Sequence, residues 1–173
     1  MTLPRVSIRH VWIALTIGAA FIGPASSPIG LPDVFWSLLN GAWMADHRAL
    51  LASDPFTSAP HVAGPILNVQ WLADLIYHAL DATGGLPLLI AGTAFAVAVA
   101  YALALAAGVG ASGHLRLSCV AVVLAYVLGL SNLNPRAQTL AYPIFALFLM
   151  AVVRAEWRAD TRWLWLLPPA TVI

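Results

Sequence analysis

The sequence predicts an all-α integral membrane protein of about five transmembrane helices, the last one truncated, with a large extracytoplasmic loop carrying short interfacial helices. Three observations carry this. Hydrophobic residues make up 61% of the 173 positions, charged residues only 9%, and the mean hydropathy is +0.87, against about 45–50% and about 25% in soluble domains. The apolar residues fall in long runs separated by polar segments. The arginines sort to alternate sides when those runs are read as spans.

The first run, Val11–Gly23, follows Arg5, Arg9 and His10. Basic-then-apolar followed by GPASS also fits a cleaved signal peptide. Continued to Leu31, the run approaches the roughly 20 residues that cross a bilayer, and it reads as an uncleaved first span over 11–31. Residues 32–85 form the one long stretch of mixed polarity and hold Asp33, Asp46, Asp54, Asp74 and Asp81, five of the seven acids. Residues 86–108 read as a second span. Its small residues Gly92, Ala96, Ala100, Ala104 and Gly108 recur every fourth position, a stripe that lets another helix approach closely and offers a route to an oligomer. Third and fourth spans are expected over 115–131 and 139–153, joined by the hinge SNLNPRAQ. Their apolar runs are short for full spans, and Pro143 is expected to kink the second. A last run, 163–173, is still apolar at Ile173, so it reads as the start of a fifth span and the chain as the N-terminal part of a longer protein.

With the N-terminus in the cytoplasm, Arg5, Arg9, Arg116, Arg154, Arg158 and Arg162 fall inside, and only Arg48 and Arg136 fall outside. This agrees with the positive-inside rule for a multi-pass cell-membrane protein. The acid-rich loop and the hinge then share the extracytoplasmic face. A net charge of +1 without a basic block excludes a nucleic-acid partner. The lone Cys119, set in an apolar run, excludes a disulfide or Cys-based zinc framework. The first partner is the lipid bilayer.

A structureless loop of about fifty residues would be unusual, so two short helices are expected within it. In Val34–Asp46, Asp33 fits an N-cap, and Trp36, Asn40, Trp43 and His47 follow it on one side. Phe35, Leu38, Leu39 and Ala42 form the apolar side, so the helix suits the interface, with its tryptophans at headgroup level. In Val69–Asp81, Trp71, Leu72, Leu75, Ile76 and Ala79 face one way, and Gln70, Asp74, His78 and Asp81 the other. Several residues carry two readings. Asp33 is either a cap or a catalytic base. Asp54, before Pro55, is foremost a turn or cap residue. Asp74 and His78, four apart, form a solvated face or contribute to a metal site. Trp36 and Trp43 are interfacial anchors or sugar-stacking platforms. Arg136 either clamps a phosphate bidentately or snorkels at a helix end.

Four stretches in order, DVFWSLLNG (Asp33–Gly41), DPFTS (Asp54–Ser58), VQWLAD (Val69–Asp74) and PRAQ (Pro135–Gln138), resemble the outer-loop and hinge motifs of polytopic GT-C-type glycosyltransferases. The nearer likeness is to a bacterial branch similar to polyprenyl-phosphate-sugar-dependent mannosyltransferases, patterned D-x-x-W-H-L-x-x-G, D-P-F-S-x-T, H-E-W-L-x-E and R-P-Q. The resemblance spans about Pro32 to Gln138. It implies transfer of a sugar from a polyprenyl-phosphate carrier to an extracytoplasmic acceptor. Asp33 would be the base, and Arg136, Asp54, Trp36 and Gln138 would contact substrate. The chain departs from the pattern at Ser37, Val69, Gln70 and Ala137. The lost histidines and glutamate leave a divalent metal open and raise an altered or inactive copy. Two other readings stand beside this one: a non-catalytic membrane scaffold or degenerate relative assembling through the small-residue stripe, and a transporter. The expected spans contain no acid, which disfavours the transporter.

Overall fold

The computed structural model describes residues 6–30, 32–56 and 67–168, and among these every regular element is helical. The helices are α1 (Ile8–Ser26), α2 (Asp33–His47), α3 (Trp71–Ser112), α4 (Leu115–Gly129) and α5 (Ala137–Arg158). A 3₁₀ turn, Leu130–Asn132, extends α4, and another, Thr161–Leu166, follows α5. Four helical segments are long and apolar enough to cross a membrane: α1, α3, α4 with its 3₁₀ extension, and α5. The expected fifth span falls on that last 3₁₀ turn and on residues 169–173, which lie outside the described residues.

α3 contains both the expected loop helix and the expected second span, joined rather than separated by a loop. The junction is Gly85, with φ 66° and ψ −169°, a conformation open essentially to glycine alone. Pro87 follows in the first turn of the next segment, where a missing N–H breaks no helical bond. The bend is sharp. Tyr77 and Leu89 share one buried cluster with Val34, and Leu80 packs against Gly92. Residues twelve apart in a straight helix would stand about 18 Å apart.

The bundle is built around α3, which packs most broadly on α5 and also meets α1, α2 and α4. Much of the small-residue stripe is used inside the chain. Gly92 faces Leu80, Ala100 is buried, Ala104 packs on the Leu105–Cys119–Val122 cluster, and Gly108 faces Ser118. α5 runs longer than the expected 139–153, because hydropathy falls at Arg154 and Glu156 while their good helix propensity continues the backbone to Arg158. Left-handed Ala159 (φ 51°) then ends it.

α2 begins one residue earlier than expected, with Pro32 at the N-cap position and Asp33 already in the first helical turn. Asp33 is therefore not the cap. Val34, Ser37, Gly41 and Met44 are buried, while Phe35, Trp36 and Leu39 are exposed. The contact is close because Gly41 lies on the backbone of α3: a Cβ there would collide with the Asp74 carbonyl oxygen and reach His78 Cβ at 2.7 Å. Gly41→Ala should therefore push α2 off α3 and cost about 1–3 kcal/mol, the range for overpacking. A lowered thermal midpoint in detergent checks it, and an unchanged midpoint would refute the close approach.

Candidate functional site

The hinge that carries Arg136 is held at several points. Thr139 Oγ1 donates to the Asn134 carbonyl at 2.7 Å, and Tyr142 Oη donates to the Asn132 carbonyl at 3.2 Å. Arg136 is the extended N-cap residue of α5 (φ −152°, ψ 152°). Its carbonyl accepts from the Tyr77 hydroxyl at 2.7 Å and from Thr139 N at 2.9 Å. Tyr77 is fully buried, so the part of α3 before Gly85 fixes the backbone from which the guanidinium projects. Tyr77→Phe should cost about 0.5–1.5 kcal/mol, the net value of one hydrogen bond, because Thr139 still satisfies the carbonyl. Thermal unfolding beside wild type measures that loss.

From this anchor Arg136 reaches Asp33, 103 residues earlier in the chain. Arg136 Nη2 lies 3.0 Å and Nε 3.2 Å from Asp33 Oδ2. The two predicted residues meet as an ion pair between the start of α2 and the start of α5. Both contacts fall on Oδ2, and among the described residues Oδ1 has no hydrogen-bond donor. The pair is accessible, with 49% of the Asp33 side chain and 31% of the Arg136 side chain exposed.

Beside the pair is a surface cavity of about 240 Å³ lined by Asp33, Trp36, Ser37, Asn40, Gln70, Ala137 and Gln138. An apolar groove of about 350 Å³ adjoins it, sharing Gln70, Ala137 and Gln138. Leu72, Ala73 and Ile76 of α3 and Leu140, Ala141 and Ile144 of α5 form its walls. The arrangement is a polar cavity with a carboxylate and a guanidinium at its edge, adjoining an apolar groove.

Asp33, Arg136, Trp36 and Gln138 are thus brought together, whereas Asp54 is not among the lining residues. Asp54 Oδ1 accepts from Phe56 N at 2.9 Å, the geometry of a turn residue. Among the described residues its segment meets the site through the Phe56 ring, 6.3 Å from that of Trp36. Thr57 and Ser58 of the DPFTS motif lie outside the described residues. Trp43 stacks on His47 at 4.2 Å and does not line the cavity.

Asp74 departs most from the sequence reading. It is not on a solvated face: it is 1% exposed beneath α2. Its Oδ2 accepts from Asn68 Nδ2 at 3.1 Å and from Asn40 Nδ2 at 3.4 Å, while Oδ1 has no partner among the described residues. Asn40 also lines the polar cavity, so the buried carboxylate orients a wall of the site from behind. The sequence placed Asp74 with Gln70, His78 and Asp81 on a polar face and did not disclose that α2 covers part of that face. The available signal was Gly41, a glycine inside a helix four residues after Ser37. Asn40, Gln70 and Tyr77 carried no signal of their own. Asp74 and His78 gather no third ligand: among the described residues, no three His, Cys, Asp or Glu side chains converge on a metal-sized site. The donor set of the described residues does not fit a divalent metal.

Comparison of the chain with protein-family models, with curated proteins and with solved structures gave no match.

Proposed function

We propose that this chain carries the acceptor-side site of a GT-C-like membrane glycosyltransferase, which moves a sugar from a polyprenyl-phosphate carrier to an extracytoplasmic acceptor. The observation that carries the reading is the Asp33–Arg136 pair at the edge of a polar cavity that adjoins an apolar groove. A lipid-linked sugar needs those two environments side by side. The arginine distribution supports the orientation: Arg9, Arg116 and Arg154 lie at the end of the bundle opposite Arg136.

In this reading the acceptor hydroxyl oxygen attacks the anomeric carbon and Asp33 takes its proton. The bond from that carbon to the phosphate oxygen breaks, and the guanidinium of Arg136 stabilises the departing phosphate. The ion pair supplies an order of events. A donor phosphate competes with Asp33 for Arg136, since the anionic oxygens of either accept from the guanidinium N–H groups. The carboxylate is released as a base when the donor arrives. Trp36 offers an exposed aromatic face to the sugar, and Gln138 an amide to its hydroxyls.

The test is transfer from a labelled polyprenyl-phosphate sugar by full-length protein in lipid vesicles, wild type beside Asp33→Asn. Equal turnover removes Asp33 as the base.

The same pair favours a second reading, a non-catalytic scaffold in which Asp33 and Arg136 clip α2 to α5. Under that reading no transfer occurs with either protein, and the only effect of Asp33→Asn is on stability.

A further inference from the structure

A cavity of about 660 Å³ lies at the end of the bundle away from Asp33 and Arg136. α1, the C-terminal part of α3, the start of α4 and the end of α5 enclose it. Arg9, His10 and Arg154 stand among its lining residues, and Ile13, Ile17 and Leu105 line it along the apolar length of the helices. We propose that this cavity binds an anionic phospholipid, with the headgroup phosphate held by Arg9, His10 and Arg154 and an acyl chain against the apolar wall.

Charge is the first support. Among the described residues neither Arg9 nor Arg154 has a carboxylate within ion-pair distance, the one such pair being Asp33–Arg136. The acids at this end are Glu156, which is exposed, and Asp160, whose Oδ1 accepts from Arg162 N. No acid stands in the first turn of α1, so the positive end of its helix dipole is not offset there. Two arginines and a helix start therefore face the cavity with no ion-pair partner among the described residues.

Donor geometry is the second. Arg154 Cζ lies 4.4 Å from the centroid of the Trp163 ring, a cation–π contact. Such a contact consumes no N–H donor, so the guanidinium N–H groups are left for phosphate oxygens. His10 Nδ1 accepts from Ser7 N at 3.1 Å. That bond requires a lone pair on Nδ1, so in the neutral ring the proton sits on Nε2, which is left to donate.

The apolar wall distinguishes a lipid from free phosphate. It belongs to helices long and apolar enough to cross a membrane, so a chain lying there stays among hydrocarbon. Basic pockets between spanning helices are suited to such headgroups, and the positive-inside rule assigns this arginine-rich end to the cytoplasmic leaflet.

The experiment reconstitutes the full chain in phosphatidylcholine vesicles with spin-labelled phosphatidylglycerol or phosphatidylcholine as probe. The readout is the ratio of motionally restricted label between the two lipids. Wild type should prefer the anionic lipid, and each of Arg9→Gln and Arg154→Gln should lower that preference about fivefold at most, with the pair bringing it near unity. Arg162→Gln removes the same charge outside the cavity and should leave the preference in place. Circular dichroism confirms helix content in each sample. Equal losses in Arg162→Gln and the cavity variants would reduce the effect to bulk surface charge and overturn the site. Loss of the preference in millimolar inorganic phosphate, at constant ionic strength, would assign the basic groups to free phosphate and overturn the lipid. No preference in wild type overturns both.

Discussion

Asp33→Asn should lower sugar transfer by about 10²–10⁴-fold, the usual contribution of a positioned general base, while leaving the folded state nearly as stable as wild type. The two halves of that expectation have separate physical grounds. An amide keeps the shape of the carboxylate and its contact with Arg136 but has no basicity to take the acceptor proton. Stability is nearly untouched because the ion pair is accessible, and exposed pairs contribute only about 0.2–1 kcal/mol. A loss of activity therefore cannot be attributed to unfolding. Arg136→Lys sharpens the experiment. Lysine keeps the charge but not the two-pronged geometry, so transfer should fall while thermal unfolding hardly moves. Variants as active as wild type would leave Asp33 and Arg136 with the clip alone.

Asp74→Ala carries the largest expected effect on stability, a loss of about 2–4 kcal/mol. The substitution strips the acceptor from the amides of Asn40 and Asn68 and leaves a gap under α2. Unpaired buried donors cost about 1–3 kcal/mol. Asp74→Asn should behave quite differently and stay within about 1 kcal/mol of wild type. Its amide oxygen takes the place of Oδ2 and keeps both bonds, while its NH₂ replaces Oδ1, an atom that has no partner among the described residues. It also removes the need to bury a formal charge. Chemical or thermal unfolding of the two variants in one detergent decides the matter. If Asn were as damaging as Ala, the negative charge itself would be what the site requires. Because Asn40 also faces the polar cavity, Asp74→Ala should disturb transfer as well as folding.

Much of the architecture was legible in one dimension. The apolar runs marked out the helices, because a segment of nearly uniform hydropathy has few other ways to satisfy its backbone in a bilayer. The change from mixed polarity to an apolar run after Gly85 marked where the second span begins, and the bend of α3 falls there. A short helix was legible over Val34–Asp46, and α2 covers that stretch. The individual candidates Asp33 and Arg136 were also legible, as an acid and a cation at the ends of apolar runs.

Which residues meet was decided only by tertiary structure. Nothing in the local sequence says that Asp33 and Arg136 are neighbours; the bend at Gly85 and the packing of α3 on α5 bring them within 3.0 Å. Nothing says that Asp74 is buried, because hydropathy reports the polarity of a helix face and not what another helix lays over it. Gly41 allowed that close approach, turning an expected solvated carboxylate into the buried support of a cavity wall. The sequence by itself determined where helices run and where they break, through backbone and solvation terms that are local. Tertiary structure alone decided the ion pair, the buried acid and the two cavities, because each depends on the distance between segments that chain order leaves free.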